Sequence, residues 1–162
     1  MRKWAAVLSI ALAASGGAAL AQEVDVEPYV QAFCSLRTAD NGAARIYLLS
    51  PSLAAAVMEA QAKNAVLQAE TPDEKPPLGD GVPYQSYPDA APRCGPGEAG
   101  RDGEAVVAEV VYSFPDTEGS DWTDQLVLVE GEGGVYVIDD IRYGAEGAEG
   151  TLRSFLETAF EN

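Results

Sequence analysis

The chain has 162 residues, with 26 acidic side chains against 10 basic ones, a formal net charge of −16 and no histidine. The sign argues against nucleic-acid backbones and anionic lipid surfaces as partners. The missing imidazole removes Ser-His-Asp and Cys-His catalysis and His-ligated zinc.

A composition 47% hydrophobic and 22% charged is that of a globular chain rather than a disordered one. Arg2 and Lys3, the apolar run from Trp4 to Ala14 and the small residues Ala19-Leu20-Ala21 ahead of Gln22 read as a signal peptide over 1–21. The run is too short for a permanent transmembrane helix. The expectation is an exported, soluble, periplasmic or secreted product, a single domain over 22–162. Losing Arg2 and Lys3 leaves it 8 basic against 26 acidic residues, a net charge of −18. A lipid anchor would need a cysteine at the cleavage point, and the first cysteine is Cys34. In an oxidising compartment an isolated pair without a CxxC, here Cys34 and Cys94, is read as a disulfide. The alternative is two free thiols, with Cys34 filling a helix face.

Three regimes follow along the chain. From Glu27 to about Leu67 the apolar period is helical. Tyr29, Val30, Phe33 and Cys34 mark one face of a first helix, with Pro28 near its start. Asp40-Asn41-Gly42 is a turn signal, and a short helical turn over 43–49 follows it. Ser50-Pro51 supplies the cap and first position of a second, longer helix to about Leu67. From Glu70 to Gly103 the periodicity vanishes. Seven prolines and six glycines predict a long irregular loop over 70–103 that Cys94 would pin back to the first helix.

From Glu104 the period becomes two. Val106, Ala108, Val110, Tyr112 and Phe114 alternate in a first strand, Trp122 to Glu130 make a second and Val135 to Tyr143 a third. A turn over 131–134 joins the last two. Thr151 caps a final helix whose Leu152, Phe155, Leu156, Ala159 and Phe160 form one stripe. The expected class is α+β, with N-terminal helices and a C-terminal helix on one face of a curved antiparallel sheet of three strands. The other face would line a concavity.

Two segments carry a resemblance: Pro77-Leu78-Gly79-Asp80-Gly81-Val82-Pro83-Tyr84, continued by Tyr87-Pro88-Asp89, and Tyr136-Val137-Ile138-Asp139-Asp140-Ile141-Arg142-Tyr143. With the following Thr151-Leu152-Arg153-Ser154-Phe155-Leu156 they resemble a family of small exported bacterial proteins of unknown function. Members of that family carry a nuclear transport factor 2-like (cystatin-like) cone. The chain departs from its pattern at Val82, where Asp is usual, and at Tyr136-Val137, where Trp before Lys or Arg is common. The resemblance implies the cone and no catalytic residue.

Several constellations could carry chemistry. Asp116, Glu118, Ser120 and Asp124 suggest calcium ligands, but an EF-hand loop needs Gly sixth and Glu twelfth, where this chain has Asp121 and Val127. An acidic turn with weak, nonspecific cation affinity is expected. Asp139 and Asp140, as neighbours on a strand, point to opposite faces and cannot share a substrate. They are expected to make structural hydrogen bonds at the strand end, to the loop or to Arg142, although one of them could face the cone interior. Some nuclear transport factor 2-like enzymes, ketosteroid isomerases among them, pair a tyrosine of the first helix with pocket carboxylates. Similarity to them implies Tyr29 as the oxygen partner and Asp139 or Asp124 as the pocket acid. Tyr29 also sits on an apolar stripe, where a core tyrosine is the ordinary explanation. The principal expectation is a non-enzymatic binding or accessory domain without a cofactor. Its pocket draws on Tyr29, Tyr84, Trp122, Asp124, Tyr136 and Asp139. Its charge favours a small apolar or cationic ligand or a cationic protein partner; the plainest alternative is that the charge serves only solubility.

Overall fold

The computed structural model describes residues 24–38 and 42–161. The expected signal segment over 1–21 and the Asp40-Asn41 part of the turn lie outside the described residues. Helix α1 (Glu27–Thr38) buries Val30 and Phe33, with Tyr29 and Cys34 half-buried at the edges of the same face. Helix α2 (Gly42–Arg45) and a 3-10 turn over Ile46–Leu48 lead to α3 (Pro51–Glu70). The start of α3 follows from its sequence. The Ser50 hydroxyl accepts the Leu53 N–H at 3.1 Å, and Pro51 occupies the first turn, where no amide donor is needed. Leu53, Val57 and Ala60 form its buried stripe.

The sheet has four antiparallel strands in the order β1-β2-β3-β4. They are β1 (Arg93–Asp102), β2 (Ala105–Ser113), β3 (Trp122–Glu130) and β4 (Tyr136–Arg142). Three of these match the alternating segments. The fourth corrects the expected loop over 70–103, within which Arg93–Asp102 pairs with β2, from Arg93 opposite Ser113 to Asp102 opposite Ala105. Strand β1 has no apolar alternation, since it is a mostly exposed edge strand and needs none. Main-chain bonds to β2 hold it. Pro96 and Gly97 sit at a bulge between Pro96 and Ala99, an irregularity that an edge tolerates. Gly103, at φ +62°, makes the turn into β2.

Val106, Ala108, Val110 and Tyr112 of β2, Leu126 and Leu128 of β3, and Ile138 and Ile141 of β4 are buried against the helices. Ile138 and Ile141 are three apart, not two. The register explains this: Leu128 pairs with Ile138 and Val127 with Asp140, which leaves Asp139 as an extra residue in a bulge. The final helix α4 (Leu152–Thr158) starts at a reciprocal cap. The Thr151 hydroxyl accepts from the Ser154 amide, and the Ser154 hydroxyl accepts from the Thr151 amide. The molecule is thus α+β, with helices on one face of an open four-stranded antiparallel sheet. No helix among the described residues is long and apolar enough to cross a membrane.

The expected Cys34–Cys94 disulfide is present, joining α1 to β1 across 60 residues with a Cα–Cα distance of 5.6 Å. A loop of that length stabilises the fold by about 4 kcal/mol in the chain-entropy model. Urea denaturation of the oxidised protein and of a Cys34→Ala/Cys94→Ala variant should differ by a few kcal/mol. Superimposable curves would show that the bridge is dispensable.

Candidate ligand-binding clefts

The segment between α3 and β1 is fixed mainly by polar contacts. Its Leu78 amide donates to Asn64 Oδ1 at 2.7 Å, and the Tyr143 hydroxyl donates to the Pro83 carbonyl at 2.7 Å. Arg37 of α1 donates from Nη1 to Gln85 Oε1 at 3.1 Å and from Nη2 to the Ala91 carbonyl. Gln85 Nε2 bonds the carbonyls of Tyr87 and Asp89, each at 2.7 Å. Leu78, Tyr84 and Ala91 supply the buried apolar anchors.

Asp124 is the centre of this arrangement. It is 0% exposed. Its carboxylate accepts the Ser86 amide at 2.9 Å, the Ser86 hydroxyl, and the Gly144 amide at 3.0 Å. Ser86 Oγ in turn accepts the Ala145 amide at 3.0 Å. A buried carboxylate is tolerated only when its oxygens are satisfied in this way. Gly144 is obligatory here, because a Cβ on it would lie 2.0 Å from the Thr123 carbonyl oxygen. Burial first, and the Asp124 charge second, push the Tyr112 and Tyr143 hydroxyls above the ordinary tyrosine range. Replacing Asp124 by Ala removes the acceptor from three part-buried hydrogen bonds, each worth about 1 kcal/mol or more, so the variant should lose several kcal/mol in chemical denaturation. A variant of wild-type stability would contradict this structural role.

Two clefts open beside this loop, with Tyr87 in the wall of both. The first, of about 560 Å³, is walled by Tyr87, Phe114 and Trp122, with Asp89, Asp121 and Glu146 around them. The Tyr87 and Trp122 rings lie 5.2 Å apart and Phe114 and Trp122 6.0 Å apart, while Tyr112 stacks on Trp122 at 4.8 Å. Three carboxylates beside the exposed Tyr87 ring and the edge of the buried Trp122 favour a cation, through Coulomb attraction and through the negative face of the exposed ring. The second cleft, of about 540 Å³, is walled by Arg37, Arg45, Tyr84, Pro83, Tyr143 and Phe155. Both clefts lie at the loop end of the sheet. Neither uses the open sheet face that was expected to line a concavity.

The other sequence candidates are placed elsewhere. Tyr29 packs edge-on against Tyr136 with ring centroids 6.2 Å apart, and its hydroxyl accepts the Tyr136 amide at 3.4 Å. Tyr136 pairs with Glu130, six residues along β3 from Asp124, a separation of about 20 Å at the strand rise. Tyr29 and Asp124 therefore stand apart, and the contacts of Asp124 among the described residues are structural; Asp139, the other acid expected for proton transfer, is engaged by Ser50, Ser52 and Arg153. Tyr84 and Trp122 stand in different clefts, and Tyr136 in neither. The expectation that Asp139 and Asp140 contact Arg142 or the loop is corrected: both reach the start of α4, because the bulge breaks the alternation of faces. Asp139 accepts from Arg153 Nη2 at 2.7 Å and from the hydroxyls of Ser50 at 2.6 Å and Ser52 at 3.3 Å. Asp140 accepts the Arg153 amide at 3.1 Å, capping α4. Arg142 pairs instead with Asp102 on β1 at 2.6 Å. Of the four residues that suggested a calcium loop, Asp124 is turned into the core, and no group of three or more His, Cys, Asp or Glu among the described residues is placed to hold a metal ion.

The cleft residues that the sequence reading missed are Arg37, Arg45, Tyr87, Asp89, Asp121 and Glu146. Only Tyr87 and Asp89 had a signal, as part of the Tyr87-Pro88-Asp89 motif.

Burial works to raise the Asp139 pKa, but the Ser50 hydroxyl, the Arg153 charge and its hydrogen bond, and the Ser52 hydroxyl outweigh it and hold the carboxyl below its ordinary value. A depressed folded-state pKa means stability that is present above the unfolded pKa and is lost as pH falls through the folded one. The destabilisation caused by Asp139→Asn should therefore be constant near neutrality and shrink below about pH 4. Denaturation at a series of pH values checks this, and a pH-independent difference would refute it. Compared with known proteins, the chain matches no family model, no curated protein and no solved structure.

Proposed function

We propose that this protein is an exported, non-enzymatic binding domain of the nuclear transport factor 2-like kind. Its acidic–aromatic cleft receives a cationic group, carried by a small ligand or by a basic peptide. The observation that carries the reading is the convergence of Asp89, Asp121 and Glu146 with the Tyr87, Phe114 and Trp122 rings on one cleft. A cation over an aromatic face gains about 0.5–2 kcal/mol, more as water is excluded. The net charge of −16 draws cations toward the surface and makes association sensitive to salt. Support for the family comes from the two motif segments: the first builds a wall of both clefts, and the second holds the start of α4. Support for export comes from the N-terminal pattern and the disulfide. Less supports the ketosteroid-isomerase-like alternative, because Asp124 stands far from Tyr29 along β3 and Asp139 is held by Ser50, Ser52 and Arg153.

Trp4 lies in the signal segment, so the exported chain has one tryptophan, Trp122, inside the cleft. Titration with choline, followed by that fluorescence, should give a saturable change that added salt weakens. Its neutral isostere 3,3-dimethylbutanol should give none. An Asp121→Asn/Glu146→Gln variant should bind choline at least about tenfold more weakly. A lysine-rich peptide that binds far more tightly than choline would identify a protein partner as the source of the cation. Equal response to the neutral isostere would refute the proposal.

A further inference from the structure

The second cleft inverts the charge of the molecule around it. Four basic residues are ion-paired: Lys63 with Glu59, Lys75 with Asp80, Arg142 with Asp102 and Arg153 with Asp139. Arg37, Arg45, Arg93 and Arg101 have no carboxylate partner among the described residues, and of these Arg37 and Arg45 share the wall of the second cleft.

Their partners are neutral oxygens. Arg37 holds Gln85 Oε1 and the Ala91 carbonyl; Arg45 holds the carbonyls of Leu36 at 3.3 Å and Arg37 at 2.8 Å. The Arg45 guanidinium lies 4.9 Å above the Tyr84 ring and that of Arg37 5.5 Å from the Tyr112 ring. Both are therefore rigidly placed before any ligand arrives. Burial lowers the pKa of each, and the Arg37 charge acts against that of Arg45 as well. Capping the last carbonyls of α1 accounts for Arg45 bonding where it does. It does not account for two neighbouring like charges in one cleft wall. Nor does it account for Arg45 Nη1, which has no partner among the described residues. Around them, Tyr84, Pro83, Tyr143, Ala148 and Phe155 make the cleft largely apolar. Its two acidic neighbours are Asp80, already paired with Lys75, and the exposed Glu149.

We infer that this cleft binds a small amphipathic ligand with an oxyanion head, the head held by Arg37 and Arg45 and the apolar body covered by Tyr84, Tyr143 and Phe155. Paired guanidiniums suit a carboxylate or phosphate because their donors form charge-assisted, planar contacts. This site rests on different residues from the cationic cleft, so the two succeed or fail separately.

Octanoate is the probe, with octanol and octylamine as its neutral and cationic counterparts. It should shift the Nε–Hε resonances of Arg37 and Arg45 saturably in the oxidised, ¹⁵N-labelled protein, and the other two should not. Arg37→Gln and Arg45→Gln should each weaken octanoate binding about tenfold or more. Should either variant fail to fold by its amide spectrum, Arg45→Lys keeps the charge and loses the fork, and intermediate affinity is expected from it. Octylamine binding as tightly as octanoate, or saturation that leaves both arginine resonances unmoved, would overturn the inference.

Discussion

The buried carboxylate of Asp124 is the interaction on which the rest of the functional end depends. It sits on β3, 0% exposed, and receives donors from two segments that have no strand of their own to join. Ser86 brings the loop between α3 and β1; Gly144 brings the turn between β4 and α4. Between them these segments carry most of the wall of the second cleft and supply Tyr87, Asp89, Ala145 and Glu146 to the first. A loop of this length would cost much conformational entropy if it were ordered only by a ligand. Here that cost is met largely within the fold, by Asp124, by Arg37, by Asn64 and by the Cys34–Cys94 bridge at the end of the loop. The clefts are therefore preformed.

Charge acts differently at long and at short range in this molecule. The net charge of −16 sets the field felt from a distance and pointed to cationic partners in general. Inside a cleft the nearest few groups decide, because interactions between close, half-buried charges are screened less. The cleft of Tyr87, Phe114 and Trp122 follows the global sign. The cleft of Arg37 and Arg45, on the other side of Tyr87, opposes it.

Periodicity and capping made most of the fold legible. Ser50-Pro51, the Thr151 cap and the alternation in β2 and β3 are local signals that tertiary structure reinforces. Strand β1 was not legible, because an exposed edge strand takes its stability from the main chain of β2 and leaves no apolar pattern behind. The bulge at Asp139 was equally hidden, since two aspartates in a row read as simple alternation when the register of the partner strand is unknown. The site was legible only in part. Trp122 and Tyr84 were picked as aromatic residues and do stand in cleft walls, whereas Tyr29 and Tyr136, picked on the same grounds, pack on each other, and Asp139 pairs with Arg153 and the Ser50 hydroxyl. Asp124 looked like a ligand-binding acid and is a structural one, a difference that burial alone decides. Arg37 and Arg45 carried no local signal, because what sets them apart is that the fold brings both into one cleft wall.

The most direct test of a pinned loop is amide hydrogen exchange on the native, oxidised domain. The Ser86, Gly144 and Ala145 amides should exchange as slowly as amides in the centre of β3, and all three should lose protection together in Asp124→Asn while the sheet keeps its own. Exchange of these amides at the rate of an unstructured peptide would contradict the account, since a loop that is free in solution could not hold either cleft in shape.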